Sequence, residues 1–154
     1  MIKERKTLKE YSIVILVFAA LSFVRIIIDA ITHGFGSQAL NVEGVPENVA
    51  QIVAIIIFVM ALLLLLPDVY VGVKGMKESN NPTGARAHIV WALILAILSL
   101  VGTVSSLGDM IKEFDFDKLL LVLDLAVDVV LFFAYYLVAK KLQIINKKAQ
   151  LNYG

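Results

Sequence analysis

Four charged residues lie inside long apolar stretches of the sequence, where a charge is costly unless it is paired or used. Arg25 and Asp29 interrupt the first stretch, and Asp124 and Asp128 interrupt the last. A charge at the centre of a membrane-spanning helix costs about 2.5–3.5 kcal/mol on insertion scales, so such residues usually face the interior of a bundle. Each pair is spaced four residues apart, which places both members on one helix face. These four residues are therefore the candidate site.

The chemistry open to these residues depends on what stands opposite them. An arginine guanidinium offers five donors in a planar fork, so Arg25 could bridge Asp124 and Asp128 as an ion-pair clasp between two helices. With Asp29 also ionised, one positive and three negative charges leave an excess of two negative charges. Such an excess calls for a cation, water or a protonated carboxyl group. Three interpretations stay open: a structural clasp, a cation, proton or small-ligand site, and burial against a second subunit.

The composition indicates which elements position these residues. The chain has 154 residues, of which 60% are hydrophobic and 18% charged, whereas soluble domains have about 45–50% apolar and about 25% charged residues. A spanning helix needs roughly 20 mostly apolar residues. We therefore predict an all-α integral membrane protein, an up-down bundle of four transmembrane helices that forms one domain over residues 1–154. The helices are expected at about 11–32, 47–75, 82–108 and 117–146.

Prolines and glycines set the predicted helix ends. Pro46 suits the first turn of helix 2, and Pro82 the first turn of helix 3, because the missing N–H has no helical partner there. Pro67 should bend or end helix 2 within about one turn. Gly72 and Gly75 are interpreted as the end of that helix.

Lysine and arginine predict the orientation. Cytoplasmic ends of membrane helices carry an excess of both residues. The basic clusters are Lys3, Arg5, Lys6 and Lys9 before helix 1, Lys74, Lys77 and Arg86 between helices 2 and 3, and Lys140, Lys141, Lys147 and Lys148 after helix 4. All three fall on one predicted side, so both termini are expected in the cytoplasm. The same boundary should hold the interfacial aromatic residues Tyr11, Tyr70, Trp91, Tyr135 and Tyr136.

Further polar residues are predicted at the depth of the charges. With a rise of 1.5 Å per residue, Arg25 lies about 9 Å and Asp124 about 8 Å below the outer ends of their helices. The supporting polar residues are Ser22, Gln51, Ser99, Thr103 and Ser106. The inner halves of helices 1, 2 and 3 are almost wholly apolar, which predicts a polar cluster that opens outward. A weaker alternative is a metal site at Asp29 and His33, although a solvated loop histidine is the simpler interpretation.

Several functions are disfavoured by residue types. The chain has no cysteine, which removes disulfides, thiolate nucleophiles and thiolate zinc sites. No nucleophile–base pair or pair of histidines on one level is present, so we expect no enzyme activity, no cofactor and no nucleic-acid partner. Small four-helix multidrug exporters share the predicted topology. They carry a membrane-embedded glutamate in the first helix, however, where this chain has Arg25 and Asp29.

Two functions remain as expectations. The first is a non-enzymatic accessory, assembly or sensing module with an outward-facing polar cluster. The alternative is a small oligomeric transporter or channel that binds a cation or proton at Asp124 and Asp128. The expected partners are the lipid bilayer and either further copies of the chain or another membrane protein. The expected location is a bacterial cytoplasmic membrane, crossed several times.

Overall fold

The computed structural model describes residues 2–32, 46–112, 114 and 116–152. These residues form five helices: α1 (Ile2–Thr32), α2 (Glu47–Leu64), α3 (Leu66–Asn80), α4 (Ala87–Lys112) and α5 (Phe116–Asn152). Because α3 follows α2 directly, the two form one long segment, and four segments in the described chain are long and apolar enough to span a membrane. The predicted all-helical class with four such segments is confirmed.

The second membrane-length segment is interrupted where proline predicts it. Pro67 has no N–H, and its ring clashes with the carbonyl four residues earlier, which belongs to Leu63. The backbone N–H of Leu65 donates instead to the carbonyls of Leu62 and Leu63. Regular helix resumes at Leu66. The expected termination within one turn of Pro67 is thus observed.

Charged flanks extend two helices beyond the predicted bounds. Helix α1 starts at Ile2 rather than near residue 11, and α5 continues to Asn152 rather than 146. Lysine, glutamate and arginine are good helix formers, so the helix continues after the apolar stretch ends. Helix α4 likewise continues to Lys112 rather than 108. These positions show that hydropathy marks the apolar part of a helix rather than its ends.

The turn between α3 and α4 differs from the prediction that helix 3 begins at Pro82. The Glu78 carboxylate accepts the backbone N–H groups of Thr83 at 2.9 Å and Gly84 at 3.2 Å, and also the Thr83 hydroxyl. Gly84 has a φ of 77°, which glycine adopts readily. These contacts hold a non-helical loop, so α3 runs on to Asn80 and α4 begins at Ala87.

We call the half of the bundle that holds Ile2 and the end of α5 the inner half, and the opposite half the outer half. In the inner half α1 packs on α3 and α4 on α5, and contacts between α1 and α5 and between α3 and α4 close the ring. The buried core lies here and consists of Leu8, Ile15, Val71, Ile89, Ala92, Ala96, Leu131, Phe132, Tyr135, Ala139 and Leu142.

Two glycines bring α1 and α3 close together. A Cβ on Gly72 would lie 2.6 Å from Leu16 Cγ, and a Cβ on Gly75 would overlap the hydroxyl oxygens of Ser12 and Tyr135. Small residues at a helix interface allow this close backbone approach. The expectation that Gly72 and Gly75 end helix 2 is therefore corrected, because both are buried in the middle of α3.

Helix packing is less complete in the outer half than in the inner half. Helix α2 packs only weakly on α1 and α3 and makes almost no contact with α4 or α5. Its buried side chains are Ala50 and Ala54, while large apolar side chains such as Ile52, Ile56 and Met60 are exposed. The ring of helices that closes the inner half is therefore open between α2 and α4 in the outer half.

Candidate functional site

The structure brings Arg25 and Asp124 together in the outer half. Arg25 Nη1 lies 3.9 Å from Asp124 Oδ2, and the two side chains are 70% and 52% exposed. This distance exceeds the usual 2.7–3.2 Å of an N–H···O hydrogen bond. The two residues therefore form a loose and exposed ion pair. A clasp from Arg25 to both Asp124 and Asp128, one of the three interpretations left open by the sequence, stays a hypothesis.

Asp128 lies one helical turn deeper on α5 and is half-buried. The side chain of Asp29 and all of His33 lie outside the described residues, and with them the alternative metal site. Among the residues that are described, no group of three or more histidine, aspartate or glutamate side chains is arranged to hold a metal ion. The described acidic side chains therefore form no metal site.

The five supporting polar residues do not join the charged pair. Ser22, Ser99, Thr103 and Ser106 are half-buried, and Gln51 is exposed. The Thr103 hydroxyl donates to the Ser99 carbonyl at 2.7 Å within its own helix, a bond that satisfies a hydroxyl locally. In the described part of the chain, no hydrogen bond links any of the five to Arg25 or to an aspartate.

An additional carboxylate, Asp68, was missed by the sequence analysis. It lies in the first turn of α3, directly after the interruption at Leu65. Because α3 continues to Asn80, Asp68 falls well inside the 33-residue apolar segment 48–80. Its side chain is half-buried. The buried glycines of α3 were the sequence signal that this helix stays in the bundle.

A second missed feature is a set of buried polar groups in the inner half. Tyr135 was expected at the membrane boundary, but its side chain is fully buried and its hydroxyl donates to the Val71 carbonyl at 3.2 Å. The Ser12 hydroxyl donates to the Leu8 carbonyl at 2.7 Å. The His88 ring meets the Tyr135 ring edge-on, with centroids 6.1 Å apart. The contacts of Tyr135 tie α3, α4 and α5 together.

A small cavity adjoins this inner set. His88 is only 2% exposed, and within the described chain its Nδ1 has no hydrogen-bond partner. The cavity beside it has a volume of 10 Å³ and is lined partly by Glu78, Gln143 and Asn146. This volume corresponds to about one water molecule, which needs two to four polar partners when buried. The cavity suits a structural water.

The inner ends of α1 and α5 are joined by an ion pair. Lys141 Nζ lies 3.1 Å from Glu4 Oε1, and the Glu4 side chain is largely buried. Leu8 and Leu142 are buried beside this pair. The two terminal helices therefore remain packed together beyond the apolar core.

Comparisons with protein-family models, curated proteins and solved structures find no match to this chain. The inner half is packed and internally bonded, and the outer half presents charge on an open surface.

Proposed function

We propose that this chain is a non-enzymatic membrane subunit that assembles, through its outer half, with a second polypeptide, either another copy or a different membrane protein. The observation that carries the proposal is the exposure of Arg25 and Asp124, at 70% and 52% of their side chains. Both belong to segments apolar and long enough to span a membrane. Charged residues in such segments almost always face protein or water rather than lipid.

Snorkelling does not shield the charges of Arg25 and Asp124 from lipid. An arginine can extend its long stem so that its charge reaches the lipid headgroups. Here the guanidinium of Arg25 instead points toward Asp124, at 3.9 Å. Asp124 lies eight residues into α5, a depth of about 12 Å at 1.5 Å per residue, and an aspartate side chain is too short to span that distance. A covering polypeptide would shield both charges from lipid.

The proposal includes four spans, with both termini on the cytoplasmic side of a bacterial cytoplasmic membrane. The basic clusters at the inner end support this orientation, since cytoplasmic segments carry the excess of lysine and arginine. A reporter active only in the cytoplasm should therefore work when fused after Gly154 and fail when inserted near Gly36. The reverse pattern would overturn the orientation.

Assembly can be tested by the mass of the protein particle. The chain extracted from native membranes in mild detergent should sediment with a protein mass well above the 16.9 kDa of one copy. Replacing Arg25 and Asp124 together by leucine should release the single chain, because the covered charges are gone. Sedimentation of the native chain as a single copy would overturn the proposal.

A matched control tests the specificity of that release. Lys112 and Asp109 form another exposed ion pair, 3.5 Å apart at the end of α4. Replacing both by leucine changes charge and apolar area as much as the test variant does. The particle mass should nevertheless stay that of the native protein, because this pair lies at a helix end where water can reach it.

A second candidate function is a small oligomeric transporter or channel that uses Asp124 and Asp128. Asp68 favours it, because this half-buried carboxylate lies directly after a helix interruption inside a membrane-length segment. Interrupted helices often form ion sites in transporters. The packed inner core closes the path in this conformation. Flux of protons or sodium ions into vesicles that contain the purified chain, lost in Asp128→Asn, would favour this candidate.

A further inference from the structure

A surface groove of about 340 Å³ lies beside the interruption between α2 and α3. It is lined by Leu63, Leu66, Pro67, Tyr70 and Trp91. Trp91 belongs to α4 and is 42% exposed, whereas the other four residues belong to α2 and α3. The lining is apolar except for the hydroxyl group of Tyr70 and the indole N–H of Trp91. Pockets for small molecules have volumes of about 300–1,000 Å³, so the groove is large enough for part of an apolar ligand.

The proposed spans place this groove at the inner boundary of the membrane. Trp91 is 21 residues from Lys112, the outer end of α4, which corresponds to about 32 Å at 1.5 Å per residue. The hydrocarbon core of a bilayer is about 30 Å thick, so Trp91 lies where the hydrocarbon meets the headgroups. Tyrosine and tryptophan are enriched at this level. A lipid in the groove would therefore have its chains in the hydrocarbon and its headgroup on the inner side of Tyr70 and Trp91.

Two lysines follow the groove along α3 toward the inner end of the bundle. Lys74 and Lys77 come four and seven residues after Tyr70, so all three side chains lie on one face of the helix. Along the helix axis, Lys74 is about 6 Å and Lys77 about 11 Å beyond Tyr70. Lys77 is exposed and Lys74 is half-buried. The two ammonium groups therefore lie at the level of the lipid headgroups, beside the inner end of the groove.

The acidic side chains of α3 do not offset this positive charge at the groove. Glu78 is 7% exposed and accepts the backbone N–H groups of Thr83 and Gly84. Asp68 is two residues from Tyr70, a rotation of about 200° around the helix axis, so it lies on the opposite side of α3. Among the described residues, neither of the two lysines forms a salt bridge. The inner end of the groove therefore suits an anionic ligand.

We propose that the groove is a binding site for an anionic phospholipid. One acyl chain lies against Pro67 and Trp91, and the headgroup phosphate pairs with Lys74 and Lys77. A free anion would leave the apolar groove unoccupied, and a zwitterionic lipid would bring a further positive charge to the two lysines. The inference rests on the membrane spans of the proposed function, and it is independent of the polypeptide that covers the outer half.

The fluorescence of Trp91 tests this site, because the chain contains a single tryptophan. The purified chain is placed in vesicles of equal parts anionic phosphatidylglycerol and zwitterionic phosphatidylcholine. Bromine atoms, which quench tryptophan on contact, are carried on the acyl chains of one lipid or of the other. Both preparations have the same surface charge, so unequal quenching measures the preference of the groove. We expect phosphatidylglycerol to be preferred about fivefold, which corresponds to about 1 kcal/mol, the attraction of one basic residue to an anionic lipid surface.

Lysine substitutions separate the groove from the general positive charge of the inner surface. Lys74→Gln together with Lys77→Gln should remove the preference for phosphatidylglycerol, because both groups that pair with the phosphate are lost. Lys147→Gln together with Lys148→Gln is the matched control, since these two lysines of α5 are exposed at the same end of the bundle. The control should keep the preference. Helical circular dichroism of each variant shows whether it is folded.

A tryptophan outside the groove provides a second control. Leu98 is 61% exposed and lies seven residues farther out than Trp91 on the same face of α4. In the variant Trp91→Phe with Leu98→Trp, the tryptophan contacts lipid away from the groove and the lysines. The two brominated lipids should therefore quench it equally.

Three results would overturn this inference alone. Equal quenching of Trp91 by the two brominated lipids would show that the groove does not select anionic lipid. A preference that survives the loss of Lys74 and Lys77 would show that these lysines do not hold the headgroup. Quenching in the Leu98→Trp variant but not at Trp91 would show that protein rather than lipid covers the groove. Absence of quenching at both positions would instead contradict the membrane spans, and with them the proposed function.

Discussion

In the inner half of the bundle a tyrosine, a serine and a histidine are buried and packed against one another, whereas in the outer half an arginine and an aspartate are more than half exposed. The Tyr135 hydroxyl reaches the Val71 carbonyl, so the inner polar groups bond within the chain. The Arg25 guanidinium stops 3.9 Å short of its carboxylate. Buried polar groups are normally satisfied by hydrogen bonds, and the buried Tyr135 and Ser12 hydroxyls of the inner half achieve this within the chain.

The difference indicates which contacts hold the single chain together. Core packing and close glycine contacts hold the inner half, so substitutions there should change the stability of the isolated protein. In the outer half α2 makes few contacts with the other helices, and substitution of the exposed charged pair there should change assembly more than stability.

Gly75→Ala should destabilise the isolated chain by about 2 kcal/mol or more, within the range for overpacked cores. The added Cβ would overlap the Ser12 and Tyr135 hydroxyls and lie 2.7 Å from Tyr135 Cε2. Thermal unfolding in detergent measures the change. The matched control is Gly102→Ala in α4, where the new Cβ meets Leu125 Cδ1 at an ordinary 3.4 Å. That control should be neutral or stabilising, and equal losses for the two variants would contradict the division.

Tyr135→Phe should cost about 0.5–1.5 kcal/mol, the net value of a typical intramolecular hydrogen bond. The change removes the hydroxyl that donates to the Val71 carbonyl between α5 and α3 and keeps the ring in place. Tyr136→Phe is its control, because the hydroxyl lost there accepts from Lys140 at an exposed site. Unfolding in detergent should show almost no effect for the control. A larger loss of stability for Tyr136→Phe than for Tyr135→Phe would contradict the stabilising role of the hydrogen bond from Tyr135 to Val71.

Arg25→Leu should change the stability of the isolated chain by less than about 1 kcal/mol, as is usual for an exposed ion pair. The same substitution in native membranes should lower the amount of assembled particle. Asp124 would then face the partner without the positive charge of Arg25. Unfolding in detergent and sedimentation after mild extraction separate the two effects. Strong destabilisation of the isolated chain would restore the interpretation of Arg25 and Asp124 as an internal clasp.

The sequence was sufficient to predict where the helices lie, but it was insufficient to predict how they pack against one another. Apolar stretches of membrane length predicted four segments, and the missing N–H of Pro67 predicted the interruption at Leu65, since both depend on local chemistry. The equal depth of Arg25 and Asp124 on neighbouring helices also followed from helical rise alone. How closely these side chains approach depends on tertiary packing, which spacing along one helix does not determine.

The missed residues have the same physical explanation. Asp68 follows Pro67, where helix 2 was expected to bend or end, and it was therefore not counted among the charges inside the apolar stretches. Close packing of Gly72 and Gly75 on α1 keeps that segment in the bundle and carries Asp68 inward. Tyr135 was assigned to the boundary by its residue type, although its neighbours in α3 and α4 bury it. In both cases contacts between helices outweighed a preference of the single residue.

The central claim is that a second polypeptide covers the outer half, and crosslinking in native membranes tests it most directly. The chain has no cysteine, so a photoreactive probe can be attached at Val24→Cys in the outer half or at Val17→Cys in the inner half. These valines are 52% and 50% exposed and lie seven residues apart on one face of α1. We predict a discrete adduct with a second polypeptide from position 24 and none from position 17. Adducts with lipid alone at position 24, or equal protein adducts at both positions, would contradict the account.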